Sequence, residues 1–367
     1  MLPVGFLAYA LYLNLAVFGG NLDRLKDVSG DLITGEAAAS FSDLYSRAIP
    51  HRKPAIAWLG AGRYLALGEG RAGVTVGDDG WLFTDEEMVA AEQAEIDRVA
   101  SWAAAARAEL ASDGTDLVVI PVPAKADIYR DRGAPAYAGP AMEEQYQRFR
   151  EALARAGVAS VDTRPALRKE ARNGQIFLAR DTHWTPAGAS AVAAAVAASG
   201  LIEEGTDRFV ARPAVPEERL GDLVTFVTSE SLAPTIGLGP ERVAPFVAEL
   251  ADGPKGGIFA ADTTNFDTVL VGTSYSADDR WSFVPALKLS LERDVLNLAQ
   301  EGQGPPCARW RTSWRNLLPG ERHRTASCGN FRSAISPTPI SGPIQTPPHL
   351  SRSRRHRCLN SVYSPLR

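Results

Sequence analysis

The sequence has 367 residues, 45% hydrophobic and 22% charged, the proportions of an ordinary globular chain long enough for one large domain or two smaller ones. A net charge of −4 gives no global attraction to nucleic acid. The average hides an asymmetry: residues 306–367 hold eleven Arg against one acid, Glu321, a net of +10, which leaves −14 for the rest. Cys307, Cys328 and Cys358, the three cysteines, fall in the same tail, so the body needs no disulfide and can fold in either redox compartment.

Residues 1–22 carry no charged side chain. The stretch LPVGFLAYALYLNLAVF is apolar but for Asn14 and close to the ~20 residues that span a bilayer. It lacks a basic flank and a small-residue cleavage site, so it reads as an uncleaved signal anchor. Residues 23–75 read as a mixed, polar stem with short helices. VGDDGWLFTDEE follows, a turn at Asp79-Gly80 and a short buried strand at Trp81-Leu82-Phe83. The Ala-rich run 86–110 predicts a helix. DLVVIPVPAKADIY is a buried strand ending at Pro121 and Pro123, and residues 142–157 form an amphipathic helix stopped by glycine. VASVDTR is a strand, and GQIFLARDTHW a strand running into a loop. Residues 186–200 are a helix with Thr185 as N-cap and Pro186 at its first position. Residues 201–265 are irregular. FDTVLVGTSYS gives a strand and tight turn, RWSFVPALKLSLE a helix, and RDVLNLAQEGQGP a strand with a Gly-rich loop.

Strands alternating with helices predict an α/β fold, a mostly parallel sheet covered by helices on both faces. Ligands gather at the carboxyl ends of such strands, where Asp181/His183, Thr273/Ser274/Ser276 and residues 301–304 fall. Only two of the five histidines, His51 and His183, lie outside the tail. In an extended segment residues i and i+2 share a side, so the Asp181 carboxylate can orient the His183 imidazole and stabilise its protonated form. The bland alternative is a turn capped by Asp181 beside a solvated histidine. A metal site lacks donors, with His51 the only other histidine of the body and no cysteine. Ser274 follows the strand end at Gly272 on a turn before a helix, which exposes its hydroxyl beside free N–H groups able to bind an oxyanion. Ser274 or Ser276 as a simple helix cap is the alternative, and Ser276 is the rival nucleophile. Gly302 and Gly304 could bring further backbone N–H groups to the same point. In this reading His183 takes the proton of Ser274, which attacks an acyl carbon.

GDDGWLF, PVPAKADIY, DTHWTPAGA, LVGTSYS and NLAQEGQGP, in this order and spacing, resemble the alginate O-acetyltransferase family (AlgJ/AlgX) over residues 75–305. The resemblance implies an SGNH-hydrolase-like (flavodoxin-like) three-layer sandwich over 76–305, a 1–22 anchor in the inner membrane, a 23–75 stem and a catalytic domain in the periplasm. It implies acetyl transfer to hydroxyls of an alginate-like exopolysaccharide through an acetyl-serine, with Ser274 as nucleophile, His183 as base, Asp181 as its partner and no cofactor. A polysaccharide acceptor and a membrane acetyl-donor protein of the export complex are the implied partners. An esterase with the same triad, or a polysaccharide-binding scaffold subunit, are the alternatives. Trp184 is a sugar-stacking platform or core packing against the following helix. Lys125 is a substrate contact or a solvated strand-end charge.

Past Pro305 the periodicity stops, and 306–367 reads as a basic, disordered tail. A specific cause fits: an out-of-frame translation. Back-translating GPPCARWRTSWRN with chosen synonymous codons and reading from the third base gives APLRAMADFLAE, an amphipathic helix. The same offset turns ASCGNFRSAISP into IVWEFPERYLP, which reads as a buried strand. A one-base deletion near the codons for 304–306 predicts loss of a helix and a strand, an open strand edge and weak or no activity for the chain as written.

Overall fold

The computed structural model describes residues 2–19, 22–31, 33–251, 253, 266–301 and 324–331. In chain order its helices are α1 (Leu2–Phe18), α2 (Glu36–Ala48), α3 (Arg52–Leu67), α4 (Gln93–Ala111), α5 (Lys125–Ile128), α6 (Ala138–Arg155), α7 (Arg164–Glu170), α8 (Pro186–Ala198), α9 (Ser274–Ala277) and α10 (Phe283–Leu291). The strands are β1 (Val74–Val76), β2 (Leu82–Thr84), β3 (Thr115–Pro121), β4 (Ala159–Ser160), β5 (Phe209–Pro213), β6 (Glu217–Arg219), β7 (Glu241–Val243), β8 (Phe246–Leu250), β9 (Thr268–Val271), β10 (Leu296–Asn297) and β11 (Arg324–Phe331).

The main sheet has the order β10-β9-β11-β3-β4, and each neighbouring pair is parallel. Alternation along β3 and β9 builds two cores. Leu117, Val119, Val269 and Val271 pack towards α4 and α6, through Ile96, Ala103, Leu110, Phe149 and Leu153. Val118, Ile120 and Leu270 face the opposite way, into a larger core with Val192 and Val196 of α8 and Phe283 and Leu287 of α10. The sheet therefore lies between two helical layers, with both faces of β3 and β9 dry. Helix α8 starts as its sequence dictates: Thr185 Oγ1 accepts the Gly188 N–H at 3.3 Å, and Pro186 fills the first turn. The irregular stretch 201–265 supplies two antiparallel ribbons, β5 with β8 and β6 with β7, the latter pairing Arg219 opposite Glu241.

Three expectations differ from what is observed. Residues 175–184 make no strand; they form bends closed by one isolated bridge, Phe177 with Trp184. The tail is not without order throughout, because the backbone of β11 runs between β3 and β9, so the strand edge expected to be open is paired. Main-chain N–H and C=O groups pair irrespective of side chain, and two strands one strand-width apart offer a complete set of partners. The other tail residues, and the expected helix after Pro305, lie outside the described residues. The apolar segment Leu2–Phe18 is helical, but at 17 residues it extends about 25 Å, and no helix among the described residues is long and apolar enough to cross a membrane. It packs through Leu13 and Val17, with Phe18 stacked on Phe41 at 5.9 Å, and leaves Phe6, Leu7, Leu11 and Leu15 exposed.

Candidate active site

The bends at 176–183 are held by side chains instead of by a ladder. Ile176 N–H donates to Tyr129 Oη at 2.8 Å, and the N–H groups of Ala179 and Arg180 donate to the two Glu241 oxygens at 2.8 Å each. On the carbonyl side the Lys125 ammonium donates to Leu178 O, Ala179 O and Asp181 O at 3.1, 3.2 and 2.9 Å. Gly221 backs the segment so closely that a Cβ there would lie 2.0 Å from Arg180 O.

Within this frame Asp181 does two things at once. Its Oδ1 accepts the His183 backbone N–H at 3.0 Å, closing a turn of the kind aspartate favours, and also meets the ring Nδ1 at 2.6 Å. Its Oδ2 accepts from Arg219 Nε at 3.3 Å and from the Asp222 N–H at 3.1 Å. The far ring nitrogen, Nε2, lies 2.8 Å from Ser274 Oγ, where β9 hands over to the single turn of α9. Trp281 stacks on the imidazole at 5.0 Å and 15°, and the Tyr275 ring lies 5.0 Å away while its hydroxyl donates to Thr182 O. The ring is thus fixed in plane with one nitrogen on an acid and the other on a hydroxyl. Ser274, His183 and Asp181, drawn from the sequence, are brought together. Ser276 is buried in α9, and the hydroxyl on His183 Nε2 is that of Ser274.

Asp181 is wholly buried. Burial by itself would raise its pKa; the hydrogen bond and charge of His183, with the N–H groups of Asp222 and His183, outweigh it and hold the carboxyl below the usual carboxylate range. It therefore stays ionised and polarises the imidazole, the electrostatics a serine nucleophile requires.

Other expectations are corrected. Trp184 is fully buried, with Tyr275 at 5.1 Å and Phe283 at 4.8 Å, so it packs the core and is no sugar platform. Lys125, 1% exposed, is neither solvated nor open to substrate; its ammonium lies over the rings of Phe83 and Trp81 as well as on the three carbonyls. Gly302 and Gly304 lie outside the described residues. Asp181, His183 and Asp222 have donor atoms within 4.8 Å of one another, a spacing a cation could use. Asp181 accepts four hydrogen bonds as above and His183 is held between Asp181 and Ser274, while Asp222 accepts from Thr182 N–H at 2.8 Å and Thr182 Oγ1 at 2.6 Å, so this donor set fits hydrogen bonding better than a metal. Arg219, Asp222 and Trp281 were missed in the sequence. They come from β6 and from single turns with no periodicity, and only the fold brings them to the triad.

Residues 74–311 match the family described as SGNH hydrolase-like domain, acetyltransferase AlgX. The chain is 34% identical over 320 residues to the "Probable alginate O-acetylase AlgJ" of Pseudomonas aeruginosa, covering 80% of this chain and 81% of that protein. It is 33% identical over 282 residues to the protein of the same name from Azotobacter vinelandii, covering 75% and 72%. The O-acetyltransferase domain of Pseudomonas putida AlgJ superposes with a TM-score of 0.60 at 28% identity, over 72% of this chain and 91% of that one. Pseudomonas aeruginosa AlgX shares the fold, with a TM-score of 0.54 at 24% identity over 71% and 63%. On this combined likeness, the chain belongs to the SGNH hydrolase-like acetyltransferase AlgX family.

Proposed function

We propose that this protein O-acetylates an alginate-like exopolysaccharide through an acetyl-serine at Ser274. The observation that carries the reading is the unbroken relay from Ser274 Oγ through His183 to Asp181, at 2.8 and 2.6 Å, in a chain 34% identical to a protein named an alginate O-acetylase. His183 Nε2 takes the Ser274 proton as Oγ attacks the acetyl carbonyl, and returns it to the departing donor group. A sugar hydroxyl then gives its proton to His183 and attacks the acetyl-serine; His183 passes that proton to Ser274 Oγ as its bond to the acetyl carbon breaks, which restores Ser274 and leaves the ester on the polymer. Asp181 keeps the imidazole in the tautomer that both steps need and stabilises its cation. No step requires a cofactor. If water replaces the sugar, the same steps make an esterase.

The domain works in the periplasm, held to the inner membrane by α1, and takes acetyl from a membrane donor protein of the export complex. The exposed apolar residues of α1 support the tether. The test is acetyl transfer from a generic acetyl ester to an oligouronate, followed by mass spectrometry. Acetylated sugar that disappears in Ser274→Ala supports the transferase; free acetate alone indicates an esterase; unchanged polymer acetylation in cells carrying Ser274→Ala indicates a scaffold.

The segment 306–367 is an out-of-frame translation in this account. The family match ends at residue 311. The place of β11, between strands buried on both faces, calls for a mostly apolar run; RTASCGNF offers Ala326, Cys328 and Phe331 among polar residues, whereas the shifted frame gives IVWEF. Resequencing the gene across the codons for 297–315 decides it: a recovered base restores the frame, and an unchanged reading retires the idea of a sequencing error.

A further inference from the structure

The imidazole of His183 faces two carboxylates, not one. Asp181 Oδ1 is at 2.6 Å from Nδ1, and Asp222 Oδ2 is at 3.9 Å from the same atom. Thr182 Oγ1 lies between them, 3.2 Å from Nδ1 and donating to Asp222 Oδ2 at 2.6 Å. The two acids differ in setting. Asp181 is fully buried and committed on both oxygens, whereas the Asp222 side chain is 38% exposed and comes from the turn Asp222–Phe226, far along the chain. The stacked Trp281 and the Tyr275 ring keep Nδ1 turned towards both. The charges around the pair are Arg219, on Asp181 Oδ2, and the Lys125 ammonium, on Asp181 O.

We propose that Asp222 is a positioning residue for the reaction, a second acid that acts through His183. It adds negative charge beside Nδ1 when the ring is protonated, and it holds the Nδ1–H tautomer when Asp181 is lost. The proposal rests on the reading that His183 serves as base to Ser274. The charge matters because a carboxylate about 4 Å from an imidazolium interacts strongly even at the moderate effective dielectric of a half-open site. A simpler role competes with it: the carboxylate only caps the Thr182 N–H, at 2.8 Å. Asn at 222 keeps an oxygen for that N–H and removes the charge, so it separates the two roles.

The experiment is a double-mutant cycle on the full chain, with two readouts: hydrolysis of a generic acetyl ester and the rate at which an aryl sulfonyl fluoride labels Ser274, read by mass spectrometry. Asp222→Asn and Asp222→Ala alone should lower kcat about two- to tenfold with KM little changed. Asp181→Ala should keep activity well above His183→Ala. In that background either change at 222 should cost roughly tenfold more than in the parent and bring the rate down to that of His183→Ala. Equal fold-losses in both backgrounds, or full activity for Asp222→Asn in each, would overturn the proposal in favour of a cap. Activity that depends on added Zn²⁺ and on both acids would overturn it in favour of a metal site. Labelling of the parent no faster than that of Ser274→Ala would instead reject the nucleophile assignment itself, and the proposal with it.

Discussion

Lys125→Met tests how the site is built. Methionine keeps the length of the stem and deletes the ammonium that donates to Leu178 O, Ala179 O and Asp181 O. Ala179 O also accepts the Leu82 N–H at 2.8 Å, so the loss falls on the carbonyls of Leu178 and Asp181. An orphaned buried polar group costs roughly 1–3 kcal/mol, so two cost about 2–6 kcal/mol. Relief from burying an ammonium offsets part of this, and a net loss of about 3 kcal/mol is expected. With a urea m-value of about 3 kcal/mol/M for a domain of this size, the unfolding midpoint should fall by about 1 M. The same carbonyl belongs to Asp181, so release of the segment should also reduce kcat about tenfold or more in the surviving folded protein, with KM nearly unchanged. Urea unfolding followed by tryptophan fluorescence, paired with ester turnover at low denaturant, reads both numbers. A variant with the parent's midpoint and kcat would refute the reasoning that this lysine anchors the site.

Gly221→Ala should be harmful although its backbone is ordinary, because the new Cβ would lie 2.0 Å from Arg180 O and 2.8 Å from Asp181 N; a loss of about 2 kcal/mol and a fall in kcat are expected, and an unchanged melting temperature would contradict it. Trp184→Ala should destabilise by about 3–5 kcal/mol, while Trp184→Phe should keep the parent KM for polymer; Nε1 has no hydrogen-bond partner among the described residues, so phenylalanine forfeits volume alone, and a raised KM at unchanged stability would return Trp184 to the sugar. Asp181 titrates below its unfolded value of about 3.9, so its contribution to stability is present above that pH and lost as pH falls through it towards the folded value. Acid unfolding of Asp181→Asn should accordingly be less steep below about pH 4 than that of the parent, and identical curves would argue against an ionised Asp181.

The sheet was readable where the sequence is periodic. LVVIP and VLV are unbroken apolar runs, and both became strands buried on two faces. The Thr185-Pro186 signal placed the start of α8 to the residue. The Asp181–His183 pair was found by an argument about extended chain, yet the segment is bent, and the two residues meet because the aspartate closes a turn onto the His183 N–H. GQIFLARDTHW misled for a related reason: its apolar residues are buried, but its polar main chain is satisfied largely by the side chains of Lys125, Glu241 and Tyr129, with one bond from Leu82 N–H of β2, and not by a strand ladder. No local pattern announces that. Lys125 looked like a strand-end charge because sequence carries no sign of burial for a lysine. Asp222 and Arg219 sit about 40 residues beyond the histidine in a stretch without period, so only the path of the β6–β7 ribbon discloses their part.

The central claim is that Ser274, activated by His183, carries the acetyl group. The direct measurement is to mix the protein with an acetyl ester, quench in acid within the first turnover, and map the acetylated peptide by mass spectrometry. The account predicts one acetyl group on Ser274, absent from Ser274→Ala and nearly so from His183→Ala. Acetyl found on another residue, or turnover retained by Ser274→Ala, would contradict it.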